Sequence, residues 1–394
     1  MSIATAQTAT DFYGLERVLA PDELATVHAA RAFMRAEVAP IINHYWTRAK
    51  FPFEILDGFR RLGIAGLPYQ GFGCPGRSKI LDGMVFMELA RIDASIATFH
   101  GVHSGLAMGS IHVCGSDEQR ARWLPGMARL EQIGAFGLTE PEVGSGVARG
   151  LATTARREGE HWVLNGQKKW IGNASFADLV VIWARDEADD QVKGFVVDGG
   201  TAGMRIEDLQ DKIALRVVQN GLISLDGVRV PEANRLQNAN SFRDTAKVLK
   251  LTRAGVAWMA VGCGLGAYEH ALAYAKERQQ FGRPIAGFQL VQDLLVRMLA
   301  NCTSSACLCL RLAQLGEAGE DLDEHSALAK AVCTVRMRET VGWARELMGG
   351  NGILLEHQVG RFVADAEALY SYEGTREVNT LIVGRSITGI GAFV

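Results

Sequence analysis

The stretch Leu179-Val180-Val181-Ile182-Trp183-Ala184 is a continuous apolar run rich in β-branched and aromatic residues, which predicts a buried β-strand. Two similar runs flank it. They are Trp162-Val163-Leu164, which is followed by the hairpin signal Asn165-Gly166, and Gly194-Phe195-Val196-Val197. Because no long helical pattern separates these runs, we expect an antiparallel sheet or small barrel rather than alternating strands and helices. The sequence therefore predicts a middle β domain.

On both sides of this β domain the hydrophobic pattern is that of helices with one buried face. Apolar residues recur at three- and four-residue spacing before it, as in Leu56, Phe59 and Leu62, and the same spacing returns after it. The predicted fold class is α+β. We place its three domains at residues 1–131 (helical), 132–239 (β) and 240–394 (helical). Clefts at such domain junctions are natural ligand sites.

The composition of the chain argues against nucleic-acid binding and against a membrane protein. The chain has 394 residues and a net charge of −3, so it exerts no global attraction on nucleic acid. Its longest apolar stretch, residues 254–272, is interrupted by Glu269 and His270, and we interpret it as a buried helix rather than a membrane span. The seven cysteines form no CxxC pair, and residues 1–11 lack the features of a secretory signal. We expect a cytoplasmic protein that binds neither nucleic acid nor membrane.

Several motifs have a simpler structural explanation. Gly262-Cys263-Gly264-Leu265-Gly266-Ala267 fits the dinucleotide fingerprint, but its context is Ala-rich rather than β-branched, which favours close helix packing. His100 and His103 stand three residues apart without a further ligand at metal-binding spacing, so we predict no metal site. Ser145 lacks the glycine pattern of a hydrolase nucleophile.

Three other segments favour a ligand. Residues 137–145 run from a predicted strand into a Pro- and Gly-containing loop, and residues 169–173 place Trp170 beside a glycine, where its ring is suited to cover a flat ring system. In residues 370–375 Glu373 follows aromatic neighbours and precedes a glycine turn and a helix start. An apolar environment raises a carboxyl pKa toward that of a general base. On residue types alone, an ordinary glutamate at a helix start explains this last pattern equally well.

Taken in this order, the three segments resemble the acyl-CoA dehydrogenase family over essentially the whole chain. Two further motifs carry the resemblance: Arg278-Gln279-Gln280-Phe281-Gly282-Arg283-Pro284-Ile285 with Phe288-Gln289, and Met348-Gly349-Gly350-Asn351-Gly352. Within the family, the chain is most similar to glutaryl-CoA dehydrogenases and plant peroxisomal short-chain acyl-CoA oxidases. The resemblance implies a helical domain, a β domain and a C-terminal four-helix bundle that hold FAD, in a homotetramer.

The resemblance also implies which residues contact the cofactor. Those expected to line the flavin are Phe136, Leu138, Thr139, Gly144, Ser145, Trp170, Ile171 and Gly172. The segment expected to reach the FAD of a neighbouring subunit contributes Arg278, Gln280, Phe281 and Phe288, and the remaining cofactor residues are Glu346, Gly349, Gly350, Thr375 and Glu377.

For catalysis, the resemblance assigns Glu373 as the base that removes the α proton while the β hydrogen leaves as hydride to the flavin, which yields a trans-2-enoyl thioester. Ser145, Arg253 and Gly374 match positions near the acyl-CoA substrate. Some relatives carry the base on an earlier helix, at the position that is Thr252 here. Glu373 is therefore the base expected in this chain.

Three residues depart from the family pattern. Ala97 stands where glutaryl-CoA dehydrogenases carry an arginine for the distal carboxylate, which favours a monocarboxylic, short-chain acyl group. Gly172 replaces a threonine whose hydroxyl meets the flavin, which we expect to open space beside the reactive atom and increase oxygen access. Gly146 replaces an aspartate and is expected to loosen a loop near the cofactor.

These observations leave several functions open. We favour a dehydrogenase that passes electrons to an electron-transfer flavoprotein, partly because the chain ends Ala392-Phe393-Val394 without a peroxisomal tripeptide. An oxidase that reduces O₂ to peroxide is the main alternative. Further alternatives are a flavin- or acyl-binding protein without turnover, which the intact Glu373 disfavours, and an enzyme that acts on a carrier-protein thioester instead of acyl-CoA.

Overall fold

Helices, then strands, then helices follow one another in the computed structural model, which describes residues 10–392. The chain ends considered for targeting signals, residues 1–9 and 393–394, lie outside this range. Helices extend to Ala128, strands occupy the stretch from Gly134 to Pro231, and helices resume at Phe242. The α+β architecture predicted from the sequence is confirmed.

The N-terminal helices begin where polar caps are available. Ser116 caps α7 (Asp117–Ala128) by accepting a hydrogen bond from the Gln119 amide in a reciprocal capping box, and Asp93 caps α5 (Ala94–His100) through the Ile96 amide at 3.0 Å. A π-helical segment, Gly101–Met108, joins α5 to α6 without a break. The helices are α1 Pro21–Phe33, α2 Ile42–Arg48, α3 Leu56–Leu62, α4 Lys79–Ile92, α5 Ala94–His100, α6 Gly109–Cys114 and α7 Asp117–Ala128.

The middle part is one mixed sheet. Its strands are β1 Gly134–Gly137, β2 Thr154–Glu158, β3 His161–Gly172, β4 Leu179–Asp186, β5 Val192–Asp198, β6 Met204–Asp208 and β7 Asn220–Pro231, with a one-turn helix α8 Val147–Gly150 after β1. The strand order is β1-β4-β2-β3-β7-β6, and β5 pairs with β4. β1 and β2 both run parallel to β4, whereas the other four strand pairings are antiparallel, so the prediction of an antiparallel sheet was wrong for these two pairings. Parallel pairing joins strands far apart in sequence, which local patterns do not reveal.

The hairpin predicted at Asn165-Gly166 was also wrong. Both residues lie inside β3, where the pairing register with β7 shifts between Leu164 and Gly166. Gly166 has φ 141°, and a Cβ there would lie 2.6 Å from the Thr153 hydroxyl. The glycine therefore serves a β-bulge with close side-chain approach, while the β2–β3 turn falls at Gly159 and Glu160.

Long helices form the C-terminal part. They are α9 Phe242–Glu277, α10 Gln289–Glu317, α11 Asp323–Leu347, α12 Val359–Ser371 and α13 Arg376–Thr388, with the two-residue strands β8 Gln279–Gln280 and β9 Arg283–Pro284 between α9 and α10. In α9, a Cβ on Gly262 would lie 2.1 Å from the Met87 carbonyl oxygen, and one on Gly266 would lie 2.2 Å from that of Arg91. The glycine-rich motif thus permits close packing of α9 on α4, as predicted.

Two helices of the described range, α9 and α10, are long and apolar enough to cross a membrane by length and composition alone. This differs from the sequence-based expectation that residues 254–272 fall short of a span. In α9 the most apolar section is 67% buried inside the protein, because the helix packs against α4 and α11. Core helices of soluble proteins meet the same criteria.

Buried polar contacts made by the first half of α12 join the three parts. Asp365 accepts hydrogen bonds from the Leu215 amide at 2.7 Å and from the Trp46 indole at 3.4 Å. Arg361, one turn earlier, forms a fully buried ion pair with Asp93, the cap of α5. These contacts fix α12, and therefore the loop that follows it, relative to the N-terminal helices and the β domain.

Candidate active site

Glu373 lies in the short loop between α12 and α13, in a backbone conformation unusual for its residue type. Its φ is 54°, and the next residue, Gly374, has φ 82°. Thr375 then caps α13, since its side chain accepts a hydrogen bond from the Val378 amide at 3.3 Å. The sequence-based prediction of a glutamate followed by a glycine turn and a helix start is confirmed.

The Glu373 carboxyl group has one direct side-chain partner on α9. The Thr252 hydroxyl donates a hydrogen bond of 2.7 Å to Glu373 Oε2. Burial raises the pKa of Glu373 above its ordinary value, while the Thr252 hydrogen bond and the positive charges of Arg253 and Lys330 offset part of this rise. A raised pKa makes the carboxylate a stronger base than an ordinary glutamate.

Arg253, predicted to contact substrate, lies next to Thr252 on the same helix. Its guanidinium forms an ion pair with Asp323 at the start of α11. The Nε of this buried side chain has no hydrogen-bond partner among the described residues. A buried donor without a partner fits a site that an anionic or carbonyl-bearing ligand completes.

Sequence reasoning missed Lys330. This lysine lies on α11, is fully buried, and donates hydrogen bonds to the backbone carbonyls of Tyr370 at 3.1 Å and Gly374 at 2.5 Å. Asn379 of α13 donates to the same Gly374 oxygen at 2.9 Å. Burial lowers the pKa of Lys330 to about 8. Fully buried lysines are rare, so the burial of Lys330 points to a role. The sequence alone does not show that this lysine is buried.

A buried ion pair between Glu140 and Lys168 stabilises the loop that was predicted to contact the flavin, residues 137–145. Lys168 Nζ donates to Glu140 at 2.8 Å and to the Leu138 carbonyl at 3.0 Å. Glu140 also accepts from the amides of Ala152 at 2.7 Å and Thr153 at 2.9 Å. Burial alone would raise the pKa of Glu140, but Lys168 and these amides hold it below its ordinary value. Neither residue was recognisable as functional from the sequence.

Trp170 presents an exposed aromatic plane beside this loop. It occupies a second bulge in β3, where the register with β7 shifts between Lys168 and Ile171, and has φ 67°. Its side chain is 55% exposed in the single chain. An exposed indole on a strained strand next to an ordered loop is an arrangement that fits a flat ring system such as a flavin.

The other residues predicted to line the flavin differ in how far they are exposed to solvent. Phe136, Leu138, Ile171 and Gly172 are buried, Thr139 is half-buried, and Gly144 and Ser145 are exposed. At Gly172, a Cβ would lie 3.0 Å from a methyl group of Val102 and 3.5 Å from one of Val218. These valines therefore narrow the space that a side chain would occupy at Gly172, while the expected space beside the flavin stays a prediction. Around Gly146 the nearest such atom, from Val143, would be 3.8 Å away.

Most of the remaining residues predicted to bind the cofactor lie on exposed segments away from the Glu373 loop. Arg278, Gln280 and Phe281 lie on the exposed β8–β9 hairpin, and Phe281, 91% exposed, packs its ring edge against Phe288 at 5.9 Å between centroids. Glu346, Gly349 and Gly350 are exposed at the end of α11, and a Cβ on either glycine would meet open space. Glu377 is exposed in the first turn of α13. Thr375, by contrast, adjoins the Glu373 loop.

Comparison with known proteins places this geometry in one family. Family models match residues 20–131, 135–228 and 242–388 as the N-terminal, middle and C-terminal domains of acyl-CoA dehydrogenase. A short-chain-specific acyl-CoA dehydrogenase of Clostridium acetobutylicum is 30% identical over 91% of this chain and 95% of its own.

Two solved structures of glutaryl-CoA dehydrogenase from Mycobacterium smegmatis are similar over nearly the full length. One has 38% identity and a TM-score of 0.94, covering 98% of this chain and 99% of the other. The second, a complex with FADH2, has 33% identity and a TM-score of 0.95, covering 98% of this chain and 100% of the other.

Proposed function

This chain belongs to the acyl-CoA dehydrogenase family of FAD-dependent oxidoreductases acting on CH–CH groups, and we propose that it desaturates a short-chain acyl-CoA to the trans-2-enoyl-CoA. The observation that carries this proposal is the half-buried Glu373 carboxyl group, which accepts a hydrogen bond from Thr252 and has a raised pKa. Its position matches that of the family base by the motif Tyr372-Glu373-Gly374-Thr375.

In the proposed reaction the Glu373 carboxylate takes the α proton of the thioester. When bound, FAD supplies the acceptor for the hydride that leaves the β carbon. The Thr252 hydroxyl orients the Glu373 carboxyl group and stabilises its charged form before proton transfer. We assign the backbone amide of Glu373, in this half-buried loop, to the thioester carbonyl, where it would stabilise the negative charge that develops on the oxygen.

Ala97 supports a monocarboxylic substrate. This residue is fully buried in α5 and offers no cation, whereas the similar glutaryl-CoA dehydrogenases carry an arginine there by the resemblance described above. A distal carboxylate buried without a partner would cost several kcal/mol. The relative from Clostridium acetobutylicum is named short-chain specific, which supports a short straight or branched acyl group.

We further propose a homotetramer whose electrons pass to an electron-transfer flavoprotein. The hairpin that carries Phe281 supports the first part, because its 91% exposed aromatic ring has the position expected of a segment that contacts a neighbouring subunit. The relative from Clostridium acetobutylicum and the two solved structures from Mycobacterium smegmatis are named as dehydrogenases, which supports the second part. The packing of Val102 and Val218 at Gly172 weakens the argument for easier oxygen access, on which the oxidase alternative partly depends.

The absorption spectrum of the purified flavoprotein tests this proposal. We expect butyryl-CoA to bleach the flavin under anaerobic conditions and glutaryl-CoA to do so far more slowly. After air is admitted, slow return of the yellow colour without peroxide supports the dehydrogenase, and fast return with peroxide supports the oxidase. If no acyl-CoA bleaches a bound flavin, the proposal fails, and carrier-bound substrates or a protein without turnover become the remaining explanations.

A further inference from the structure

Lys330 contacts the Glu373 loop from both sides of the glutamate. Its ammonium donates to the Tyr370 carbonyl, three residues before Glu373, and to the Gly374 carbonyl, one residue after it. Both hydrogen bonds go to backbone oxygens rather than to a carboxylate. The lysine therefore fixes the backbone conformation of the loop. Its positive charge also acts on the Glu373 carboxyl group, which the loop carries.

This loop requires external support because its backbone is strained. A left-handed conformation at a non-glycine residue such as Glu373 is unfavourable, and it persists only where the surroundings fix it. Lys330 supplies one hydrogen bond to the loop, at Gly374, and one to the last turn of α12, at Tyr370, and Asn379 supplies a further one to the Gly374 oxygen. Of these two residues, only Lys330 brings a charge.

Two positively charged side chains, Arg253 and Lys330, act on the Glu373 carboxyl group. Arg253 faces it from α9 but is paired with Asp323, whereas Lys330 faces it from α11 without a carboxylate hydrogen bond. Glu377, on α13, adds a weaker negative contribution near Lys330. Because a cation stabilises a nearby carboxylate, Lys330 adds to the stabilisation of charged Glu373 that Thr252 and Arg253 provide.

We propose that Lys330 is a positioning residue for proton abstraction: it fixes the strained loop around Glu373 and maintains the carboxylate form that accepts the α proton. This inference rests on the proposed function, in which Glu373 is the base. If so, the reaction requires Lys330 although this residue contacts neither the substrate nor the cofactor.

The test compares Lys330→Met, which removes charge and donors, with Lys330→Arg, which keeps both. Met337→Ala serves as the control, because Met337 is buried on the same helix, two turns from Lys330, and its truncation removes buried apolar volume without removing a charge or a hydrogen-bond donor. For Lys330→Met we expect bound FAD to be retained and its reduction by butyryl-CoA to slow by about 10- to 100-fold. We expect the acid limb of the pH–rate profile to move upward by about one unit, and Lys330→Arg to recover part of both.

A second measurement does not depend on turnover. Hydrogen exchange of the backbone amides from Tyr372 to Thr375 should become faster in Lys330→Met and remain unchanged in Met337→Ala. The inference is overturned if Lys330→Met and Met337→Ala match in exchange and pH profile. A failure of the proposed function is distinct, since the unmodified enzyme would then not be reduced by butyryl-CoA, whereas the exchange result still tests the role of Lys330 in the loop.

Discussion

The Thr252 hydroxyl lies 2.7 Å from the Glu373 carboxylate and joins the long helix α9 to the loop after α12. Relatives that carry the base on the earlier helix have it at the position of Thr252. The structure thus shows that the two positions are direct neighbours, although they are 121 residues apart in sequence. A carboxyl group on either element would therefore reach the same region of the site.

Replacing Thr252 with valine should raise the pKa of Glu373 further, because it removes a donor that stabilises the carboxylate. A base with a higher pKa is charged only at higher pH. We therefore expect the acid limb of the flavin-reduction profile to move upward by about half a unit to one unit. Thr252→Ser keeps the hydroxyl and should behave like the unmodified enzyme. Identical profiles for the valine and serine variants would contradict this role.

Lys168→Met should destabilise the protein and weaken flavin retention. The change leaves Glu140 buried without its cation, which typically costs about 3–5 kcal/mol of folding free energy. It also frees the Leu138 carbonyl that begins the predicted flavin loop. Denaturant unfolding and the flavin-to-protein absorbance ratio measure the two effects. Lys169→Met, at the neighbouring and more exposed position, is the control, and equal losses in both variants would refute the argument.

Gly262→Ala should be strongly destabilising, because the new Cβ would lie 2.1 Å from a backbone oxygen of α4 that cannot move independently. Overpacking of this kind costs about 1–3 kcal/mol or more. Gly342→Ala on α11 is the matched control, since a Cβ there meets no atom within 4 Å. In an exposed helix interior it should stabilise by about 0.5–1 kcal/mol. Opposite shifts in the unfolding midpoint are expected, and shifts of the same sign would argue against the packing explanation.

Asp82, in the first turn of α4, should make stability depend on pH. Burial raises its pKa to about 7 in the folded protein, from an ordinary value of 3.8. The folded state thus binds the proton more tightly than the unfolded state, and stability falls as pH rises through this interval. Asp82→Asn should therefore raise stability above neutral pH by about 2–4 kcal/mol and have little effect near pH 4. Thermal unfolding at the two pH values measures this, and an equal effect at both would contradict it.

The order of helical and β parts was predictable because hydrophobic periodicity is a local signal. Glu373 was recognisable from its aromatic and glycine neighbours together with the family resemblance. The parallel pairing of β1 with β4 was not, since it joins segments whose contact depends on the whole sheet. Neither was the role of Lys330, because its partners Tyr370 and Gly374 lie 40 and 44 residues away and are backbone atoms, which leave no trace in residue types.

Gly172 illustrates a different limit. The sequence indicates correctly that a hydroxyl is missing there, but not what occupies the space. Val102, from the π-helical segment between α5 and α6, and Val218, from the β domain, lie against this glycine. Which side chains approach from other elements is a property of the packed fold, and it changes the expected consequence for oxygen access.

The most direct test of the central claim is the rate of anaerobic flavin reduction by butyryl-CoA in Glu373→Gln. Glutamine keeps the size of the side chain and its ability to accept from Thr252, but it cannot take a proton. Glu367→Gln, which alters an exposed ion pair with Arg338, is the control. Our account predicts retained FAD with reduction slowed by at least about a thousandfold in Glu373→Gln alone. Rapid reduction in that variant would show that Glu373 is not the base.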